Sequence, residues 1–115
     1  MLNNLDINLN YNKNSILELD NINLQKIAKK FGTPTFVYSY ETIKNNFFKY
    51  QTILKDKSIK NIICFAIKTN SNTKILQELN DLMSGFDTVS MGEIFKAINA
   101  GANPQKIIYS GVGKT

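Results

Sequence analysis

Near the N-terminus apolar and polar residues alternate, and helical spacing follows. Between residues 5 and 11 every second position is apolar, which is the period of a strand with one buried face. From Leu24 to Phe31 the apolar residues are three and four apart, which predicts a helix that ends before Gly32. The first third of the chain therefore contains a predicted strand and a predicted helix.

From residue 35 onward, short apolar runs alternate with longer stretches of helical spacing. The predicted strands cover residues 35–38, 62–67, 86–89 and 107–109. Ser39 is suited to cap the first helix between them, and Ser90 and Glu93 have the spacing of a capping box at the start of the third. The apolar faces of the three helices are Ile43, Phe47, Tyr50 and Leu54; Ile75, Leu76, Leu79, Leu82 and Met83; and Ile94, Phe95, Ala97 and Ile98.

This alternation predicts the α/β class, with parallel strands joined by right-handed crossovers. Four strands and three helices fit the first half of a (β/α)8 barrel or a small open sheet, and the pattern does not choose between them. No helix follows the strand at residues 107–109, although a parallel strand is normally buried on both faces. We therefore expect the 115 residues to be part of a longer domain.

Composition and charge argue against several classes of protein. The net charge is +5 and every basic residue is lysine, but the lysines are scattered, so no nucleic-acid partner is expected. Without histidine, and with Cys64 as its only cysteine, the chain cannot by itself form a Cys/His zinc site, a Ser-His-Asp triad or an internal disulfide. No signal peptide or membrane-spanning run is recognisable, so we expect a cytoplasmic protein with no membrane partner.

Lys68 is the first candidate for chemistry because it follows the predicted buried strand at residues 62–67. Strand alternation predicts that it shares a face with Cys64 and Ala66, whose small side chains leave room beside it. Active sites of parallel α/β folds lie at the carboxyl ends of strands, and a lysine amine near apolar walls can attack an aldehyde. Spacing alone nevertheless favours an ordinary solvated lysine in a strand-to-helix loop.

Two acidic residues follow Lys68 at distances that fit the same sheet edge. Asp87 lies in the next predicted strand, where its carboxylate could pair with Lys68 and govern the ionisation of the amine. Glu93 lies in the next helix, where the capping box explains it without an active site. The glycine-rich residues 111–115 are not a nucleotide-hydrolysing P-loop, because that pattern needs glycine where the chain has Ile108.

Four segments together resemble the diaminopimelate decarboxylase family, within the alanine-racemase-like group that also includes ornithine and arginine decarboxylases. They are F-G-T-P-T-F-V-Y at residues 31–38, C-F-A-I-K-T-N-S at 64–71, S-G-F-D-T-V-S-M-G-E at 84–93 and I-I-Y-S-G-V-G-K-T at 107–115. They occur in the family's order and spacing. Each segment alone would be a weak signal, but four in register are a strong one.

The resemblance implies an enzyme that uses pyridoxal 5'-phosphate to decarboxylate meso-diaminopimelate to L-lysine. It implies that Lys68 binds the cofactor covalently and that Asp87 and Glu93 lie beside them as catalytic residues. It also implies a small-molecule amino-acid substrate and a homodimer in the full-length protein. A decarboxylase of ornithine, arginine or carboxynorspermidine, or a non-catalytic barrel that binds the same cofactor, remains an alternative.

The resemblance also implies a domain organisation. Residues 1–20 would be a strand element of a separate β-domain, and residues 21–115 the first half of a (β/α)8 barrel. Chains of the family are more than three times longer. The phosphate site and the groups that bind the substrate carboxylate belong to later parts of such chains, so we expect this segment alone to be inactive.

Overall fold

The structure, a computed structural model, describes residues 8–113. These residues divide between Asn45 and Asn46 into two units, which are described in turn. Leu5 and Ile7 of the predicted first strand, and Lys114 and Thr115 at the other end, lie outside the described residues.

The first unit contains a small antiparallel sheet in the order β1 (Leu9–Tyr11), β2 (Leu17–Leu19) and β3 (Ile22–Asn23). The first of these strands confirms the predicted strand over the described part of its length. Strands β2 and β3 were not predicted, although Asp20 and Asn21 between them are residues typical of a hairpin turn. Both have positive φ, 51° and 62°, which is the conformation of a two-residue hairpin turn and one that Asp and Asn tolerate.

Helix α1 (Leu24–Phe31) is confirmed within the predicted bounds, and the Asn23 side chain caps it by accepting from the Lys26 N–H. The strand predicted at residues 35–38 is wrong. The segment follows a cis Thr33–Pro34 bond and has no strand partner in the part of the chain that the structure describes. Phe36 in this segment is 88% exposed. A β-prone sequence becomes a strand only where another strand pairs with it, and this segment has no such partner among the described residues.

Helix α2 (Tyr40–Asp56) begins at the predicted cap, where the Ser39 hydroxyl accepts from the Thr42 N–H at 2.9 Å. The boundary between the two units falls within this helix. Of its predicted apolar face Phe47 is buried and Tyr50 is exposed, so that face is only partly confirmed.

The second unit contains a parallel sheet in the order β4 (Cys64–Ala66), β5 (Gly85–Thr88) and β6 (Ile107–Tyr109). Helices α3 (Thr73–Asp81) and α4 (Met91–Asn99) connect the strands, as predicted. Strand β4 is shorter than its predicted span of residues 62–67. The α/β class is therefore confirmed, with a parallel sheet in one unit and an antiparallel sheet in the other.

The core of the second unit lies on one face of the parallel sheet. Its largest fully buried side chains come from the turn after β4, from α3 and from β5: Ile67, Leu76, Phe86 and Thr88. On the opposite face Asp87 is only half-buried, and Ile108 is 49% exposed. Strand alternation thus separates a covered face from an open face, which carries the candidate site.

Two details of the predicted helix faces are wrong. Helix α3 ends at Asp81, and Met83 adopts a left-handed conformation with φ 67°, which turns its side chain outward to 66% exposure. In α4 Ala97 is buried, but Phe95 and Ile98 are exposed. No helix within residues 8–113 is long and apolar enough to cross a membrane. The predicted domain boundary at residue 20 stays a prediction.

Candidate active site

The three predicted site residues follow one another around the carboxyl edge of the parallel sheet. Lys68 lies two residues after the end of β4, Asp87 lies within β5 and Glu93 lies in the first turn of α4. Asp87 pairs in register with Ala66, which places it beside the strand end that leads to Lys68. The site is therefore built on two neighbouring strands and the turns that follow them.

Lys68 occupies a single 3-10 turn, Ile67–Thr69, rather than the end of a strand. The strand ends at Ala66, so the prediction that Lys68 shares a face with Cys64 and Ala66 stays a prediction. The Thr69 hydroxyl donates to the Ala66 carbonyl at 2.8 Å and fixes the turn. Lys68 is exposed, and within residues 8–113 its ammonium forms no hydrogen bond or ion pair.

Asp87 is held by a residue that the sequence did not single out. The Ser110 hydroxyl donates to Asp87 Oδ1 at 2.6 Å. Over the described chain no ion pair joins Asp87 to Lys68. The carboxylate does act on Cys64, because burial raises the pKa of that thiol and the nearby charge of Asp87 raises it further.

Glu93 forms the predicted capping box with one change. The Ser90 hydroxyl accepts from the Glu93 N–H at 3.2 Å. The Glu93 carboxylate accepts from the Val89 N–H at 2.8 Å, one residue before the position that the usual capping box uses. Glu93 therefore fixes the strand-to-helix turn just after Asp87.

A second link across this edge was also missed from the sequence. Lys96, in the last turn of α4, donates to the Ser71 hydroxyl at 2.7 Å. Ser71 belongs to the loop that follows Lys68, so α4 is tied to that loop. Hydrogen bonds of this kind depend on how neighbouring turns pack, which spacing along the chain does not reveal.

These residues fit an aldehyde cofactor bound through an amine. The Lys68 amine is accessible on a fixed backbone turn, and the open face of the sheet beside it carries the small residues Ala66 and Gly85. A held carboxylate lies on the neighbouring strand. Such an edge can bind a carbonyl carbon at Lys68 Nζ and keep a negative charge nearby.

Comparison with known proteins gives several matches. Residues 40–115 match the family described as "Pyridoxal-dependent decarboxylase, pyridoxal binding domain". A diaminopimelate decarboxylase of Vibrio cholerae is 39% identical over 109 residues, which are 92% of this chain and 25% of that protein.

Solved structures of diaminopimelate decarboxylases are also similar to the chain. The diaminopimelate decarboxylase of M. jannaschii has a TM-score of 0.84 at 30% identity, over 94% of this chain and 26% of that one. That of Helicobacter pylori, complexed with L-lysine, has a TM-score of 0.74 at 42% identity, over 81% of this chain and 23% of that one. The chain thus spans about a quarter of the length of the relatives it matches.

Proposed function

The chain belongs to the family of pyridoxal-dependent decarboxylases, and from this premise we propose that the whole protein converts meso-diaminopimelate to L-lysine and carbon dioxide. Relatives named diaminopimelate decarboxylase, at 39% to 44% identity, support this choice of substrate. The L-lysine bound in the Helicobacter pylori structure supports the product. The cofactor of the family is pyridoxal phosphate.

Lys68 is the residue that binds the cofactor aldehyde through its amine. The observation that carries this assignment is an exposed lysine in a fixed turn at the carboxyl edge of the sheet, next to a strand with a held carboxylate. Pyridoxal phosphate, when bound, supplies a conjugated ring that takes up the electrons released as carbon dioxide leaves. An amine at the position of Lys68 Nζ would also be able to hold and return a proton when it is not bound to the cofactor.

Asp87 and Glu93 are the two acidic residues of the proposed site. The carboxylate of Asp87 favours a positive charge close to Lys68, because opposite charges stabilise each other at the edge of a partly buried site. Glu93 keeps the Val89 N–H in place and so holds the turn after Asp87. The hydrogen bond of the Glu93 carboxylate to the Val89 N–H, just before α4, is compatible with its proposed role as an acidic residue of the site.

The proposed architecture is the first half of a (β/α)8 barrel over residues 21–115, with residues 1–20 contributing to a separate β-domain. The parallel order β4-β5-β6 with connecting helices supports the barrel. The antiparallel pairing of β1 with β2, both within residues 1–20, supports a different domain for the N-terminal residues.

The setting proposed for the protein is that of a cytoplasmic homodimer that takes a small amino acid as substrate. It would have no nucleic-acid or membrane partner. The scattered lysines support the absence of a nucleic-acid partner, and the single Cys64 supports a reducing compartment.

Borohydride reduction of the whole protein with pyridoxal phosphate tests the assignment of Lys68. Reduction makes the lysine–cofactor bond permanent, and peptide mapping should find the label on the peptide that contains Lys68. Lys68→Ala should lose the label, whereas Lys74→Ala, a control six positions away, should keep it. Label on Lys74 or Lys114 in the wild-type protein would contradict the proposal.

Carbon dioxide release tests the substrate. Meso-diaminopimelate should be turned over in preference to ornithine and arginine. Preference for ornithine or arginine would indicate another decarboxylase of the same group. Binding of the cofactor without turnover of any of the three would indicate a non-catalytic barrel.

A further inference from the structure

Ser110 is attached to strand β5 through both its backbone and its side chain. Its N–H donates to the Thr88 carbonyl at 2.9 Å, and its hydroxyl donates to Asp87 Oδ1 at 2.6 Å. The Thr88 hydroxyl in turn donates to the Ile108 carbonyl at 2.9 Å. The chain from Ile108 to Ser110 is therefore attached to β5 by hydrogen bonds at Asp87 and at Thr88.

The turn after Ser110 packs closely against the end of β5. The Tyr109 hydroxyl donates to the Val112 carbonyl at 2.8 Å and closes the turn. A Cβ atom added at Gly111 would lie 2.9 Å from the Tyr109 ring and closer still to the Val89 carbonyl oxygen. The chain thus passes tightly against the end of β5, and this close approach keeps Ser110 beside Asp87.

We propose that Ser110 is a positioning residue that holds the Asp87 carboxylate in one orientation at the carboxyl edge of the sheet. This inference rests on the proposed function, in which Asp87 acts on the charge at Lys68. A carboxylate at a solvent-accessible edge otherwise samples several rotamers, and a short hydrogen bond to one of its oxygens selects among them. Within residues 8–113, no donor contacts Oδ2, so that oxygen stays available to a cation or a ligand.

The test compares Ser110→Ala with Ser110→Thr, which keeps the hydroxyl, in the whole enzyme loaded with pyridoxal phosphate. Ser58→Ala, which removes an exposed hydroxyl just beyond the end of α2, is the matched control. Two quantities are measured: the pH midpoint of the absorbance of the Lys68-bound cofactor, and kcat separately from KM. Thermal melts of all variants establish that each is folded.

Ser110→Ala should lower kcat about tenfold, as expected for a lost hydrogen bond to a charged group, with little change in KM. Ser110→Ala and Asp87→Ala should also shift the pH midpoint of the cofactor absorbance in the same direction. Ser110→Thr should restore both quantities, and Ser58→Ala should match the wild type. Because Ser110 acts through Asp87, adding Ser110→Ala to Asp87→Ala should have less than about a twofold further effect.

A folded Ser110→Ala enzyme with wild-type kcat and absorbance midpoint would overturn the inference. So would effects of Ser110→Ala and Asp87→Ala that multiply in the double variant. Failure of the proposed function is visible separately, because wild-type enzyme would then carry no borohydride label on Lys68. That result would overturn the inference along with the function on which it rests.

Discussion

Gly85 begins strand β5 at a point where no larger side chain fits. It is buried, and it pairs in register with Cys64. A Cβ atom added there would lie 2.7 Å from Cys64 Sγ, 2.7 Å from the Lys106 carbonyl oxygen and 3.0 Å from Ile62 Cδ1. The two side chains can rotate away, but the carbonyl oxygen belongs to the backbone just before β6. Relief of the overlap therefore requires β5 and β6 to move apart.

We expect Gly85→Ala to lower the free energy of unfolding by about 1 kcal/mol. Overpacking of a filled site costs about 1–3 kcal/mol, and the smaller conformational entropy of alanine in the unfolded chain offsets only about 0.4–1 kcal/mol. Gly85 does not have positive φ, so the effect comes from the neighbouring atoms and not from backbone strain.

Gly92→Ala is the matched control, because its nearest neighbour would be Ser90 Oγ at 3.9 Å and it lies in the first turn of α4. Alanine there should raise the free energy of unfolding by about 0.5–1 kcal/mol, through its higher helix propensity and its smaller unfolded-state entropy. Gly85→Ala should thus lower the free energy of unfolding, and Gly92→Ala should raise it.

Urea denaturation of the whole protein, followed by circular dichroism, measures both changes from the transition midpoints at constant m. Combining Gly85→Ala with Cys64→Ala should destabilise by less than the sum of the single changes, since one of the overlapping atoms is gone. It should not restore wild-type stability, because the Lys106 carbonyl remains. Equal effects of alanine at Gly85 and Gly92 would refute the steric argument.

Three further predictions concern the charges and the extent of the site. Asp87→Asn should lower the pKa of the Cys64 thiol and speed its alkylation at pH 8, although burial should keep that pKa above its ordinary value. An unchanged alkylation rate would show that the carboxylate does not act on the thiol. Glu93→Ala should lower the free energy of unfolding by about 1 kcal/mol in urea melts, and Glu93→Gln by less because it keeps an acceptor; equal losses would contradict the capping role. Residues 1–115 expressed alone should release no carbon dioxide from meso-diaminopimelate, since they span about a quarter of their relatives; turnover would show that these residues suffice.

The fold could be predicted from the sequence where a segment with a clear apolar pattern also has another element to pair or pack with. Helix α1 has apolar residues at helical spacing followed by Gly32, and the structure confirms its bounds. Strands β5 and β6 carry short apolar runs and do find partners. The run at residues 35–38 is also short and apolar, but it has no partner among residues 8–113 and forms no strand. Pairing is a long-range property that local pattern does not contain.

For the candidate site, the sequence predicts the position of each residue in the fold better than it predicts the local geometry. Lys68 follows β4 at the carboxyl edge, as predicted, but strand alternation did not reveal that β4 ends at Ala66 and that Lys68 lies in a 3-10 turn. Ser110 was missed, although it follows β6 much as Lys68 follows β4. A polar residue just after each parallel strand is the signal that would have identified it, because the carboxyl ends of such strands converge.

The structural and the functional interpretation of Glu93 support each other. Its carboxylate holds the Val89 N–H two residues after Asp87, while Ser110 holds the Asp87 carboxylate from the other side. A cap that stabilises α4 therefore also limits the movement of the strand end on which Asp87 lies. A site that must keep a charge near an exposed amine needs this support, because an unsupported carboxylate in water interacts only weakly with its neighbours. The capping box accordingly accounts for the stability of the turn and for the position of the acidic group.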